Sequence, residues 1–542
     1  MYALEGTLRL LRLAFRLDRI KLLIWIVAIV GLITLTLSEL KNAYDTPEKQ
    51  AVYAATAAPS MVTRLMAGAI TGPSIGEITV IESFALVALL VALMNIFAIT
   101  RHTRTEEETG RGELVGSMLV GRQAGLSAAL LQALIVNSIV GFLLFAVFIQ
   151  NSYDTAGSLA FVAGIAGVGI VFAAVSAITA QLFESARTAN SLAGLVFGIC
   201  FVLRGVGDAF GTVNADGVSV TTSWLSWLSP VGWATNILPF HGERWWVLGF
   251  FGILTMVLIG VAYVWLARRD VGSSIFATKP GRAQAPPGLL REFGLLWRLN
   301  RVAFFAWLLA CMALGAILGS VANEFVDLVA SNEEIQQMLA AYGQTDNPAD
   351  LLFAATFTMS GIILTAYGLQ LLLRMRTEET SGRLEVVLAA PVNRPRWMLR
   401  SVAFTIVTAL LILFATGLTA GMVYGLIIND ALVQSIKMSG AIMVYSPALL
   451  VVLGCGLLAF SVVPRLAAFI SWSILAGCVL IVQLGSILGL PNWIVNLSPF
   501  SHTPSVPAGS ITYAPLIIMT LVGLGLMVIA VFWFRQRDLI TE

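Results

Sequence analysis

Long apolar runs dominate the chain. Twelve of them approach the length of about 20 residues that a helix needs to cross a bilayer. Because hydrocarbon offers no water to the backbone polar groups, runs of this length predict helices. They fall at residues 22–38, 81–100, 125–149, 158–183, 189–206 and 247–267, and again at 302–322, 353–373, 399–426, 441–462, 467–488 and 513–534. The pattern predicts an all-α integral membrane protein with twelve transmembrane helices.

The basic residues predict the orientation of these helices. If the N-terminus is cytoplasmic, most of the 32 Lys and Arg residues fall in segments on the cytoplasmic side, as the positive-inside rule requires. No Lys or Arg lies between Arg301 and Arg374, where acidic residues cluster instead, so this loop is expected to be external. Both termini are therefore expected in the cytoplasm. The first run could also be a signal peptide, but no small-residue cleavage site follows it, which favours a retained span.

Short stretches of the first half recur in the second half, with an offset that drifts slowly. Residues 15–19 match 297–301, and residues 104–113 match 376–385. Ser229-Pro230 and Arg269-Asp270 recur as Ser498-Pro499 and Arg537-Asp538. This indicates two six-span repeats, 1–269 and 291–542, joined by a cytoplasmic linker at 270–290. Since six is even, both repeats enter the membrane from the same side and are expected to be parallel.

The most informative repeated stretch is charged and follows the second run of each half. We name residues 104–113 the first charged segment and residues 376–385 the second. Glu107 and Arg111 stand four apart in the first, as do Glu379 and Arg383 in the second, and this order favours an ion pair on a helix. Two such amphipathic helices at equivalent places favour docking sites for a cytoplasmic partner over solvated charge runs. Because these helices carry both acidic and basic residues, they are not expected to bind lipid headgroups.

Composition excludes several classes of protein. Only 11% of residues are charged and 58% are hydrophobic, which excludes a soluble enzyme. The net charge is only +2 and the basic residues are not concentrated in one domain, so a nucleic-acid partner is not expected. The four Cys and three His residues have no metal-ligand spacing, and we predict no metal site and no catalytic residue. No lysine follows a glycine, so the phosphate-binding loop G-x-x-x-x-G-K-[ST] is absent.

The pattern Arg-Thr-Glu-Glu-x-x-Gly-Arg-x-Glu, followed by Val120-Gly121-Arg122 or Val392-Asn393-Arg394, resembles the coupling helix of ABC transporter permeases of the type-2 exporter family. Nearly the whole chain is similar to the fused twelve-span permeases of actinobacterial antibiotic and multidrug exporters. The resemblance implies a type-V exporter fold in the bacterial plasma membrane. It also implies export of hydrophobic or amphipathic compounds such as drugs or lipids. The chain would bind no cofactor itself, and ATP and Mg²⁺ would bind two separate ATPase subunits that form a homodimer.

The resemblance also implies roles for particular residues. The expected ATPase contacts are Glu106, Glu107, Gly110, Arg111 and Glu113, with Glu378, Glu379, Gly382, Arg383 and Glu385. Because Leu384 replaces Gly112 and one glutamate is missing from the second segment, the two docking sites are expected to be unequal.

Basic residues at helical spacing precede the first span. They predict an interfacial amphipathic helix, although simple positive-inside flanking would give a similar pattern. The family resemblance favours an elbow helix, with a repeat partner before the seventh span. The basic residues of this elbow helix are Arg9, Arg12 and Arg16 in the first repeat and Arg298 in the second.

Two Trp- and Pro-containing segments, 207–246 and 491–504, are predicted to form short helices that dip into the outer leaflet. An ordinary aromatic belt is the alternative.

The substrate pathway is weakly marked. Candidate lining residues are Asn95, Phe97, Phe197, Phe357, Tyr367 and Gln483, although aromatic residues on helices more often serve packing. Almost no acid lies in the middle of a span. An ion-coupled secondary multidrug transporter, the alternative function, would need such residues. A non-transporting scaffold or lipid-handling protein is a third class, for which duplicated docking helices have no evident purpose.

Overall fold

The computed structural model describes residues 2–270, 273–276, 284, 286, 292–330, 347–389, 393–484 and 491–538. The chain forms two compact units, residues 1–281 and 282–542. Their boundary falls inside the predicted linker, most of which lies outside the described residues.

Unit 1 contains six long helices with shorter elements between them. Its helices are α1 (Thr7–Ala43), α2 (Pro47–Ala57), α3 (Met61–Met66), α4 (Ile75–Thr100), α5 (Glu106–Glu108), α6 (Arg111–Gly116), α7 (Ala124–Gln150), α8 (Thr155–Leu182), α9 (Ala186–Ala209), α10 (Pro230–Asn236) and α11 (Leu248–Arg268). Short 3-10 turns cover Tyr2–Leu4, Ser226–Leu228 and Trp245–Val247, and a π-helical turn covers Arg101–Thr105. The strands β1 (Thr212–Val213) and β2 (Val220–Thr221) pair antiparallel.

The described part of unit 2 repeats much of this order. Its helices are α12 (Glu292–Ala330), α13 (Pro348–Thr380), α14 (Arg383–Leu388), α15 (Arg394–Ile427), α16 (Ala431–Met443), α17 (Ser446–Val462), α18 (Ala467–Leu484), α19 (Asn492–Val495) and α20 (Tyr513–Gln536), with a 3-10 turn at Pro499–His502.

Within the described residues, eleven helices are long and apolar enough to cross a membrane, which is the architecture of a multi-pass membrane protein. Nine of the predicted spans lie within separate members of this group, and a tenth, 158–183, extends one residue beyond α8. The span predicted at 441–462 corresponds to α16 and α17, which together form the eleventh. The span predicted at 467–488 corresponds to the shorter α18, and residues 485–490 lie outside the described residues. The twelve-span arrangement therefore stays a prediction.

The elbow helices are not separate helices. The 37 residues of α1 run without a break from the basic N-terminal stretch into the first span, and the 39 residues of α12 do the same in unit 2. The predicted amphipathic helix leads directly into the first span, because no proline or glycine interrupts α1 between Thr7 and Val30. Its position at the membrane interface stays a prediction. At about 1.5 Å per residue α1 is about 56 Å long, well beyond a hydrocarbon core of about 30 Å.

Glycines allow the closest helix contacts in unit 2. A Cβ atom on Gly315 or Gly319 of α12 would come within 2.4 Å of the carbonyl oxygens of Thr416 and Ala420 on α15. Only a residue without a side chain permits this approach, and small residues four apart are a usual device of helix packing in membranes. This contact holds α12 against α15. It thereby fixes the position of the basic N-terminal end of α15 within unit 2.

Short helices lie in both Trp-containing segments, as predicted. In unit 1, α10 is buried through Val231, Gly232 and Ala234, with Gly164 of α8 in close contact with Ala234. In unit 2 the corresponding element is the four-residue α19. Their depth in the membrane stays a prediction.

Candidate functional site

Each charged segment contains a left-handed glycine. In unit 1 the chain passes from α4 through the π-helical turn and α5, turns at Gly110 (φ 73°) and enters α6. In unit 2, α13 runs straight to Thr380, and Gly382 (φ 70°) then leads into α14. A positive φ costs glycine little, whereas any residue with a Cβ atom is strained there. Each segment is therefore a sharp helix–turn–helix corner rather than one helix.

These corners overturn the predicted ion pairs. The left-handed glycine lies between Glu107 and Arg111, and between Glu379 and Arg383, so the four-residue helical spacing does not bring the partners together. Arg111 instead lies 3.9 Å from Glu106. Arg383 lies 3.8 Å from Glu378.

Glu107 faces the interior of unit 1. It accepts hydrogen bonds from Arg104 at 2.6 Å and from Arg269, just after α11, at 2.5 and 2.8 Å. Arg104 also donates to the carbonyl oxygens of Glu184 and Ser273, and Arg269 donates to the side chain of Gln181 on α8. The three charged residues therefore join the ends of α4, α8 and α11.

Unit 2 contains the same arrangement. Glu379 is fully buried and accepts from Arg376 at 3.3 Å and from Arg537, just after α20, at 2.9 Å. The guanidinium of Arg537 also lies over the rings of Phe460 and Phe534, at 5.1 and 5.3 Å from their centres. We name the trios Arg104–Glu107–Arg269 and Arg376–Glu379–Arg537 the Arg–Glu–Arg clusters.

A further arginine attaches the chain after each segment to its cluster. Arg122 donates to the carbonyl oxygen of Arg269 in unit 1, and Arg394 donates to that of Arg537, at 2.8 Å, in unit 2. Sequence reasoning missed Arg269 and Arg537 as cluster residues, and it missed the contacts of Arg122 and Arg394 with them. The recurrence of Arg269-Asp270 as Arg537-Asp538 was the signal that could have found two of them.

The ten residues expected to contact an ATPase differ in their exposure. Glu107 and Glu379 point inward and hold the corners in place. Arg111, Glu113, Arg383 and Glu385 are exposed, and so are the neighbouring apolar side chains Leu114 (69%) and Val386 (75%). Glu106 and Glu378 are half-buried, as is Gly382, whereas Gly110 is exposed. Each short helix, α6 and α14, thus offers a mixed charged and apolar outer face, which can bind another protein.

A cavity lies behind each corner. In unit 1 it has a volume of about 480 Å³ and is lined by Gly112 and Gly125 among others. The corresponding cavity of unit 2 has only about 80 Å³, because Leu384 and Trp397 stand at those two positions. Leu384 is almost completely buried. The predicted inequality of the two segments therefore has a structural counterpart.

The basic start of each long first helix is attached to the adjacent helix. In unit 1 buried Asp18 pairs with Arg101 and His102, and in unit 2 Asn300 accepts from Arg374 at 2.9 Å. The elbow residues Arg9, Arg12, Arg16 and Arg298 are all exposed. They form no part of the clusters.

Most of the candidate pathway residues are buried. Asn95 forms a reciprocal hydrogen-bonded pair with Asn137, at 2.8 and 3.2 Å. Phe197, Phe357 and Tyr367 are at most 5% exposed, whereas Phe97 and Gln483 are exposed. Packing explains the four buried residues, and the lining role of all six stays a prediction.

The fold and the clusters define a multi-pass helical membrane protein. A family model described as "Multidrug efflux system permease Rv1217c, C-terminal domain" matches residues 289–535. The chain is 33% identical over 534 residues to the multidrug efflux system permease protein Rv1217c of Mycobacterium tuberculosis, covering 98% of this chain and 95% of that protein. The chain therefore belongs to this family of multidrug efflux permeases, and the resemblance to multidrug exporter permeases is confirmed.

Proposed function

We propose that the chain is the transmembrane permease subunit of an ATP-driven ABC exporter. It extrudes hydrophobic or amphipathic compounds across the bacterial plasma membrane, through twelve spans arranged as two parallel repeats with both termini in the cytoplasm. Two ATPase subunits, a homodimer, bind ATP and Mg²⁺ and supply the energy. The chain itself catalyses no reaction.

The observation that carries this proposal is the duplicated Arg–Glu–Arg cluster. A solvated charge run needs no internal anchor, but each of these corners is attached to the end of a long helix, α11 or α20, by a carboxylate between two arginines. Breaking a buried ion pair leaves an unpaired charge and costs about 3–5 kcal/mol. The corners therefore move together with the helices to which they are attached.

The outer faces of α6 and α14 are the contacts for the ATPase. Glu113 and Leu114 on α6, and Glu385 and Val386 on α14, are exposed. Force applied to these faces when the ATPases close reaches the membrane helices through the clusters. The role of Glu107 and Glu379 is thus to transmit force, and the side chains that contact the ATPase are their exposed neighbours.

An ion-coupled secondary multidrug transporter is the alternative function. It would use an ion gradient directly, and the outer faces of α6 and α14 would then have no partner.

The test is a double charge reversal on the outer faces, Glu113→Arg with Glu385→Arg. We expect the variant to insert normally but to lose both drug export and the ATPase that co-purifies with the wild-type chain. The matched control is Glu39→Arg with Glu48→Arg, which reverses two exposed acids elsewhere in unit 1 and should keep both. Normal co-purification and export by the Glu113/Glu385 variant would contradict the docking role.

A further inference from the structure

A second cavity in unit 2 is lined by four arginines. It has a volume of about 900 Å³ and lies at the start of α15, where Arg394, Arg396 and Arg400 meet Arg535 from the end of α20. The remaining lining residues are Asn393, Pro395, Leu399 and Ala403. No carboxylate belongs to this lining among the residues that the structure describes. Arg394 donates to the carbonyl oxygen of Arg537, and Arg400 has an interaction of its own. The exposed Arg396 and Arg535 therefore supply the positive charge that a ligand would meet, and the N-terminal end of the α15 dipole adds to it.

The surroundings of the cavity are those of a membrane–water interface. Leu399 is 53% exposed, and the neighbours of Arg535 on α20, Phe532 and Trp533, are 58% and 49% exposed. Arg396 and Arg535 are exposed as well. Aromatic side chains beside basic ones are typical of the headgroup level of a bilayer. A ligand in this cavity meets guanidinium groups together with the apolar side chains of Leu399 and Ala403.

Comparison with unit 1 shows that membrane orientation alone does not require four basic residues at this place. At the offsets of the repeat, the four arginines correspond to Arg122, Ala124, Ala128 and Ala267 of unit 1. Only one of these four residues is charged. The backbone N–H groups of Gly121 and Gln123 in unit 1 donate to the carbonyl oxygens of Glu5 and Ala3, so the N-terminal residues lie beside the equivalent place. Positive-inside flanking alone would charge both units alike.

We propose that the four-arginine cavity binds the phosphate headgroup of an anionic phospholipid, whose acyl chains lie along Leu399 and the exposed aromatic residues of α20. Guanidinium groups bind phosphate oxygens through charge-assisted hydrogen bonds. Basic pockets between transmembrane helices are known sites for such headgroups. The chemistry of the site does not depend on the proposed ATPase, and only the assignment to the cytoplasmic leaflet rests on the proposed topology.

Native mass spectrometry of the full chain in detergent tests the proposal, with dioleoyl-phosphatidylglycerol and dioleoyl-phosphatidylcholine as probes. We expect the chain to retain phosphatidylglycerol preferentially. In the Arg396→Gln/Arg535→Gln variant its affinity should fall on the order of 20-fold, since each basic residue near an anionic lipid contributes roughly a factor of five. Arg394 is left intact because it holds Arg537. The matched control, Arg187→Gln/Arg301→Gln, removes two exposed arginines elsewhere and should bind like the wild type.

Several results would overturn the proposal. One is that the wild type retains the two lipids equally. Another is that the double variant binds phosphatidylglycerol as well as the wild type does. A third is that the control variant loses as much affinity for phosphatidylglycerol as the double variant. Competition by inorganic phosphate at the concentration of the lipid would identify a soluble anion as the ligand instead. Loss of a co-purifying ATPase from the double variant, without any change in lipid binding, would identify the cavity as a surface for an acidic protein.

Discussion

The two charged segments have the same anchors but different surroundings. Glu107 of unit 1 is 16% exposed and lies beside a cavity of about 480 Å³. Glu379 of unit 2 has no exposure, and the corresponding cavity, which Glu378 lines, has a volume of only about 80 Å³. Both clusters consist of one glutamate and two arginines, whereas the cavities behind them differ in volume. Gly112 and Gly125 line the cavity in unit 1, and Leu384 and Trp397 line it in unit 2. The corner of unit 2 is thus fixed by packing and charge, and that of unit 1 mainly by charge.

The largest expected effect concerns the carboxylates. Glu379→Gln should lower the free energy of unfolding by about 3–5 kcal/mol, because two arginines then lose the carboxylate that they share in a buried site. Glu107→Gln should cost about 1–3 kcal/mol, since water reaches its site. Unfolding in mixed detergent micelles measures both. Equal losses would show that the smaller burial of Glu107 does not weaken its ion pairs.

The second comparison separates packing from exposure. Leu384→Ala should cost about 2–4 kcal/mol because it empties a filled site. Leu114→Ala, on the exposed face of α6, should change stability by less than about 0.5 kcal/mol. The same unfolding experiment compares them. A stable Leu384→Ala protein would mean that α14 does not depend on this contact.

The third comparison should show no difference between the units. Gly110→Ala and Gly382→Ala each place a Cβ atom at a positive φ, with no atom within 4 Å of it. Each should therefore cost about 1 kcal/mol through backbone strain alone. Gly110→Asn and Gly382→Asn, which tolerate this conformation better, serve as controls. A loss confined to one unit would argue against equivalent corners.

The smallest effect is a gain. Gly125 lies in the first turn of α7, and a Cβ atom there would meet nothing within 4 Å. Gly125→Ala should therefore stabilise unit 1 by about 0.5 kcal/mol through helix propensity. If Gly125→Ala lowered the stability, the cavity that Gly125 lines would have to be occupied.

Much of the fold could be predicted from the sequence because membrane spans depend on local composition. The run at 125–149 needed only its apolar residues to predict α7, Ala124–Gln150. The charged segments could be found as a repeat, but their geometry could not be predicted. The pairing of Glu107 with Arg269 joins residues 162 positions apart, and no helical spacing encodes such a contact. The break at Gly110 also depends on backbone conformation. A spacing of four positions between opposite charges does not reveal such a break.

The candidate pathway shows the same limit. Asn95 is polar in the middle of a span, and this alone suggested a lining residue. Its partner Asn137 lies on another helix, and a buried amide satisfied by a second amide is a packing feature. Position along a span does not reveal which way a side chain faces.

Transport in inverted membrane vesicles shows whether ATP or an ion gradient drives export by the chain. Vesicles from cells that express the chain together with its ATPase are supplied with a fluorescent amphipathic compound, and uptake is followed with and without ATP, and with and without an uncoupler. We predict uptake that requires ATP, persists when the proton gradient is collapsed, and disappears in the Glu113→Arg/Glu385→Arg variant. Uptake driven by the gradient alone, in vesicles that contain no ATP, would contradict an ATP-driven exporter.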